Sequence, residues 1–199
     1  MSSVVTRRTD GIVPLSTLLV GDEILVPSEQ GLRFDPVIAF LHWSEGTTHS
    51  FIHIRNASGG TLKIHRDHLL EVVPRNSLTG DRAYVTANDV NIGDKISILW
   101  MDGTIVDSPV TEICEGEEFG LCCPVTLSGL IIVDSVACSC YSPPTNLVPI
   151  SISHGMCHAV MAPLRLRYAF GQSSKAPAPV GIHPYARLLM TAATGAIFS

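Results

Sequence analysis

No stretch of this sequence is apolar for the roughly 18 to 20 consecutive positions that a membrane-spanning helix needs. The longest apolar patches, such as SGLIIVDSVA, are strand-sized. The amino-terminal MSSVVTRRTDG has no apolar h-region, so no signal peptide is expected in the chain. Charge is sparse: 16% of the 199 residues are charged, and the net charge is -5. No basic stripe interleaves with aromatics, which argues against nucleic acid as a partner. Six cysteines are too few for a disulfide-stapled miniprotein, and their crowding between Cys114 and Cys157 suggests a site or a few local bridges. Cys122–Cys123 and Cys138–Cys140 are adjacent or near-adjacent and would be strained as disulfides, so free thiols are expected. What the chain does have is apolar material, 46% of its residues. That suffices for one domain with a real core, alone or with a small appendage.

Residues 1–141 read as all-β. Short runs rich in Val, Ile and Thr alternate with the turn signals TDG, SEQG, NASGG and MDG. Pro36 and Pro109 sit inside apolar runs and imply edge strands or bulges there. An internal repeat organises the whole stretch. VPLSTLLVGDEILV (13–26) resembles YVTANDVNIGDKISIL (84–99), and Gly21-Asp22 and Gly93-Asp94 lie 72 positions apart. The turn glycines Gly31 and Gly103 keep the same spacing, DPVIAF parallels DSPVTEI, and residues 59–72 parallel 127–140. Two copies with so long a period imply a pseudo-two-fold pair of β subdomains rather than a solenoid. The last strand of each copy would end at the shared middle, setting His65 and His68 against Cys138 and Cys140.

The character changes after Cys140. SPPTNLVP is a proline-rich connection, and residues 151–170 read as helical to about Ala162, where Pro163 interrupts or restarts the pattern. Residues 171–181 read as a linker by composition. HPYARLLMTAATGAIF places Pro184 at a first helical position, with Tyr185, Leu188, Leu189 and Ala192 on one face. Residues 142–199 are therefore expected to form a small, largely helical appendage.

Three chemistries compete for the histidines. His65 and His68 have His-x-x-His spacing at a strand corner, which is poor for zinc, and the cysteine pairs lack C-x-x-C spacing. His154 and His158 have helical i,i+4 spacing beside Cys157, but a structural role on a helix face is the better reading. No metal and no cofactor is expected. For His68, a core histidine bonded to a backbone carbonyl competes with a proton-transfer group in a cleft shared by the two halves.

The order VPLSTLLVGDEILV … VIAFLHW … TLKIHRDHLLEVV … VTANDVNIGDKISI … CPVTLSGLIIVDSVACSCY … SHGMCHAVMAPLRL … GIHPYARLL resembles the C-terminal autoprocessing domain of Hedgehog proteins. That resemblance implies the Hint fold, shared with inteins, over nearly the whole chain: an autoprocessing unit at 1–141 and a sterol- or adduct-recognition region at 142–199. In that family a leading cysteine attacks the carbonyl of the preceding glycine, turning an amide into a thioester. A histidine in a T-x-x-H motif protonates or polarises the scissile amide nitrogen. A sterol hydroxyl, activated by an acidic residue, then attacks the thioester. The resemblance makes His68 the motif histidine, with His65 at the threonine position and His42 at the acidic position, where a neutral imidazole could serve as base. Cys140 matches the second active-site cysteine. The leading cysteine would fall about three residues before Met1, so the chain as written is not expected to form the thioester. The implied partners are the chain's own upstream precursor segment and a sterol or other lipid, in a monomer of the secretory pathway or extracellular space. A non-catalytic module that keeps the fold and binds a lipid or protein is the alternative.

Overall fold

A computed structural model describes residues 3–143, 153–171 and 180–195. Met1 and Ser2, most of the proline-rich connection, most of the 171–181 linker and the last residues of the chain lie outside that set. Eleven strands precede Tyr141: β1 (Val4–Arg7), β2 (Gly11–Pro14), β3 (Glu23–Ser28), β4 (Gly31–Asn56), β5 (Thr61–Ile64), β6 (Leu69–Val73), β7 (Ala83–Thr86), β8 (Lys95–Leu99), β9 (Ile105–Thr126), β10 (Leu130–Val133) and β11 (Val136–Ser139). The tail adds α1 (His154–Val160), α2 (Ala162–Ala169), the two-residue β12 (Gly181–Ile182) and α3 (Pro184–Gly195). The fold is all-β with a small helical appendage.

The repeat has a local physical cause. A 3-10 turn at Leu15–Thr17 and another at Ala87–Asp89 each lead into a Gly-Asp pair. Gly21 and Gly93 take φ of 89° and 92°, a left-handed conformation that costs glycine nothing. The Asp22 carboxylate accepts the Leu19 N–H at 2.9 Å, and the Asp94 carboxylate accepts the Asn91 N–H at 2.8 Å. Val37 N–H donates to the Asp22 carbonyl, and Val110 N–H to that of Asp94, both at 2.8 Å. Each aspartate thus closes its turn and clamps it to the long strand that follows. Both are buried, and the bonds they accept offset the cost of burying a carboxylate.

The long strands β4 and β9 run antiparallel from Val37↔Thr126 to Asn56↔Val110 and form the spine on which both halves hang. Pro36 and Pro109 stand where these strands change partners. Pro36 is the last register partner of β3, Pro109 that of β8, and register shifts follow at Val37/Ala39 and at Arg55/Asn56. A residue without an N–H suits a point where the ladder is handed over. Each half then sends an element into the other. β6 bonds to β7 and β8. β10 packs against β3, and Asp134 exchanges hydrogen bonds with the Val4 backbone. The core lies between these layers, with Ile24, Val26, Ile54, Val72, Ile96 and Val110 almost wholly buried.

The tail departs from its sequence reading in two respects. On α3 the inward residues are Tyr185, Ala186 and Leu189, while Leu188 is 63% exposed and Ala192 is exposed. The linker composition of 171–181 ends in a strand, β12, pairing Gly181 with Trp43 and Ile182 with His42.

Candidate functional site

His68 occupies the corner between β5 and β6, and its backbone is fixed on both sides. Its N–H donates to the His65 carbonyl at 3.0 Å, and its carbonyl accepts the Ala87 N–H at 2.8 Å. One residue on, Leu69 N–H donates to the Tyr141 carbonyl, tying the corner to the end of the β body. The largely buried ring hydrogen-bonds to the Ser139 backbone, and its Nε2 lies 3.9 Å from Cys123 Sγ. Burial and the neighbouring His65 push its pKa down to about 4, against smaller opposing contributions from Ser139 and Asp67. The imidazole is therefore neutral at pH 7, able to accept a proton on one nitrogen while the other keeps its own.

Two cavities meet at this ring. The first, about 90 Å³, is lined by Ser3, His65, His68, Cys123, Cys138 and Cys140 among others. The second, about 380 Å³ and strongly apolar, lies between the β body and the helical tail; His42, His68, Cys123 and Cys140 line its floor. Of the four residues singled out from sequence, His68 and Cys140 border both cavities, His65 only the first and His42 only the second. The pKa of His42 is lowered by desolvation and by His49 and His65. Cys140 is buried, 3.7 Å from Thr126 Oγ1, and its thiol is pushed up to about 11, chiefly by burial.

Cys123 escaped the sequence reading. It faces His42 across the β4·β9 ladder and touches His68, and burial raises its pKa to about 12. Its place is set by register shifts at Phe40/His42 and Ser44/Thr48, which no local pattern in the sequence announces. All six cysteines are unbridged. His154 and His158 serve the docking of α1. The His154 ring stacks on Tyr84 at 4.7 Å and shares a hydrogen bond with Ser139 Oγ at 3.0 Å. His158 Nδ1 shares one with the Tyr141 hydroxyl at 2.8 Å. Among the described residues no group of three or more His, Cys, Asp or Glu side chains is placed to hold a metal ion.

The Hint module family model matches residues 1–195. The chain belongs to the Hint family. Its relatives include Warthog protein 6 of Caenorhabditis elegans, 32% identical over 67% of this chain and 22% of that protein. Tiggy-winkle hedgehog protein of Danio rerio is 32% identical over 83% of the chain and 38% of its own length. Sonic hedgehog protein of Danio rerio is 28% identical over 94% and 46% respectively. This Hint chain thus spans less than half the length of the curated relatives it matches. Among solved structures, the gp41-1 intein superposes with a TM-score of 0.53 at 14% identity, covering 69% of this chain and 94% of the intein. The Ssp DnaB mini-intein variant M86 gives 0.55 at 15% identity, covering 69% and 89%. At such identities the inteins speak for the fold. The Hint family match and the Hedgehog relatives place the chain in an autoprocessing family.

Proposed function

We propose that this Hint domain promotes cleavage of a peptide bond just upstream of its first strand, with transfer of the upstream segment through a thioester to a sterol or similar lipid alcohol. One observation carries the reading. A histidine held neutral stands where the cavity lined by Ser3 opens into the apolar cavity under the tail. Ser3, the residue just before β1, lines that first cavity together with His68, and this supports setting the scissile bond a few residues ahead of Ser3 beside the imidazole.

The proton inventory suits the step. A thiol ahead of Ser3 would attack the preceding glycine carbonyl. Neutral His68 accepts the thiol proton and returns it to the amide nitrogen as the C–N bond breaks and the C–S bond forms. Bringing thiol and carbonyl together in one chain supplies a large effective molarity. In the second step a hydroxyl from the apolar cavity attacks the thioester carbonyl. His42, also biased to the neutral form, accepts the hydroxyl proton, and the thiolate leaves. His65 supports the first step from the rim of the smaller cavity. Cys140, with its proton firmly held, shapes the floor common to both. The Hedgehog relatives support placing the domain in the secretory pathway or outside the cell.

The test is a precursor in which a reporter protein, Gly-Cys-Phe and one spacer residue precede Ser2. Dithiothreitol should release the reporter, because a small thiol resolves the thioester without any sterol. His68→Ala should slow release by about 10²-fold or more, as for loss of a general acid–base group. A folded precursor that does not cleave with dithiothreitol would transfer the reading to a non-catalytic module.

A further inference from the structure

We propose that the helical tail seats this protein on an anionic lipid bilayer, with the mouth of the 380 Å³ cavity turned toward the membrane. The inference does not depend on the acyl chemistry of the cleft. It rests on two independent observations, the distribution of charge and the exposure of apolar side chains.

No aspartate or glutamate follows Asp134, and the same stretch carries Arg165, Arg167, Lys175 and Arg187. Every one of the 18 acidic residues lies at or before Asp134, against nine Lys and Arg there. The molecule is therefore an acidic β body bearing a cationic tail. Near a negative surface such a charge distribution turns the tail inward and the body outward. Arg165 is directed onto the His158 carbonyl, whereas Arg167 and Arg187 are exposed.

The same tail holds apolar side chains in the open. It supplies about a fifth of the described residues, yet seven of the fifteen large hydrophobic side chains that are exposed. Met156, Val160 and Met190 are 50%, 46% and 44% exposed, and each also lines the large cavity, so they form an apolar rim around its mouth. Arg187 lies three residues before Met190 on α3, which makes them neighbours on that helix. Leu166 on α2 and Phe170 just past its end, 56% and 77% exposed, bracket Arg167. Basic side chains interleaved with exposed apolar ones suit the headgroup–acyl boundary, where each group finds its own medium. Water offers the apolar rim nothing, and an acidic protein partner would leave the apolar side chains unsatisfied.

The test is sedimentation of the whole chain with vesicles of phosphatidylcholine alone or with added phosphatidylserine. Binding to the phosphatidylserine vesicles should be at least about tenfold tighter and should weaken as salt rises. Arg167→Glu and Arg187→Glu should each weaken it about tenfold or more, Arg187→Lys should preserve it, and Lys95→Glu on the β body should leave it unchanged. Met156→Asp should weaken binding to both vesicle types. Far-UV circular dichroism of each variant establishes that it is folded. Equal binding to the two vesicle types, binding to neither, or indifference to the tail reversals would overturn the proposal. A dimer seen by light scattering without lipid, and dissociated by Met156→Asp, would instead assign the rim to a second copy of the chain.

Discussion

At the residue scale, the cleft is notable for how firmly its groups hold or refuse protons. Burial pushes the thiols of Cys122, Cys123, Cys138 and Cys140 upward, and Cys157 is raised to about 11 for the same reason. The thiolate is the reactive form, so none of these five should be a fast nucleophile at neutral pH. Cys114 alone is exposed. Native protein treated with a chromogenic disulfide at pH 8 should therefore show one fast-reacting thiol, removed by Cys114→Ser, and five that react slowly until denaturant is added. A second fast thiol assigned to Cys123 would mean that His68 activates it, and the neutral, proton-holding cleft described above would have to be redrawn. The inertness has a functional side. In the proposed reaction a thioester beside such thiols would not be diverted onto them, since an un-ionised thiol is a poor acceptor.

At the scale of elements, one of the contacts that dock α1 on the body, Tyr141 to His158, is packed against a glycine. Gly129 has φ of +75°, and a Cβ there would overlap the Tyr141 ring, lying 2.6 Å from Cζ and closer still to the hydroxyl. Tyr141 is 1% exposed and cannot retreat into solvent, and its hydroxyl is the one bonded to His158 on α1. Gly129→Ala should destabilise the protein by about 2–4 kcal/mol, combining backbone strain with overpacking. Gly103→Ala, with φ of +83° but open space around it, should cost about 1 kcal/mol from strain alone. Thermal or urea unfolding of the two variants separates these contributions, and equal losses would refute the clash. The elements themselves were legible to very different degrees. Strand pairs around Gly21-Asp22 and Gly93-Asp94 announce themselves because turn chemistry and period-two alternation agree there. Pro184 marks the start of α3 for a similarly local reason. The sequence pattern puts Leu188 and Ala192 on the inward face of α3 where the structure puts Ala186, because a short helix on the surface presents whichever side its neighbours accept. β12 has no strand pattern at all; its two residues pair only because His42 and Trp43 offer an edge.

At the scale of the whole molecule, the site is a product of the two-fold arrangement. The corner carrying His68 belongs to the first sequence copy, whereas Cys123, Ser139 and Cys140 belong to the second; the exchange of β6 and β10 brings them together. The repeat spacing made that meeting legible, but the split into two cavities was not, since it depends on where the tail lies. The same burial that creates the site sets the pH dependence of stability. His42, His68, His154, His158 and His183 all have pKa values lowered in the fold, in each case chiefly by desolvation. The unfolded chain therefore binds protons near pH 6.5 that the native protein does not. Stability is full above that pH and falls as pH drops toward about 4, where His68 also protonates in the native state. His68 alone should account for about 3 kcal/mol over that window. Asp10 and Asp102, both lowered by hydrogen bonds to their carboxylates, extend the decline to more acid pH. Urea midpoints measured from pH 7.5 to 4 should fall steadily through this range, and His68→Gln should flatten the slope whatever its effect at neutral pH. A midpoint that stays level between pH 6.5 and 4, or a His68→Gln slope equal to that of the unaltered protein, would mean that His68 carries a proton in the native state at mildly acid pH. Burial would then not hold the imidazole below its ordinary titration range, and the desolvated state described for His68 would be refuted.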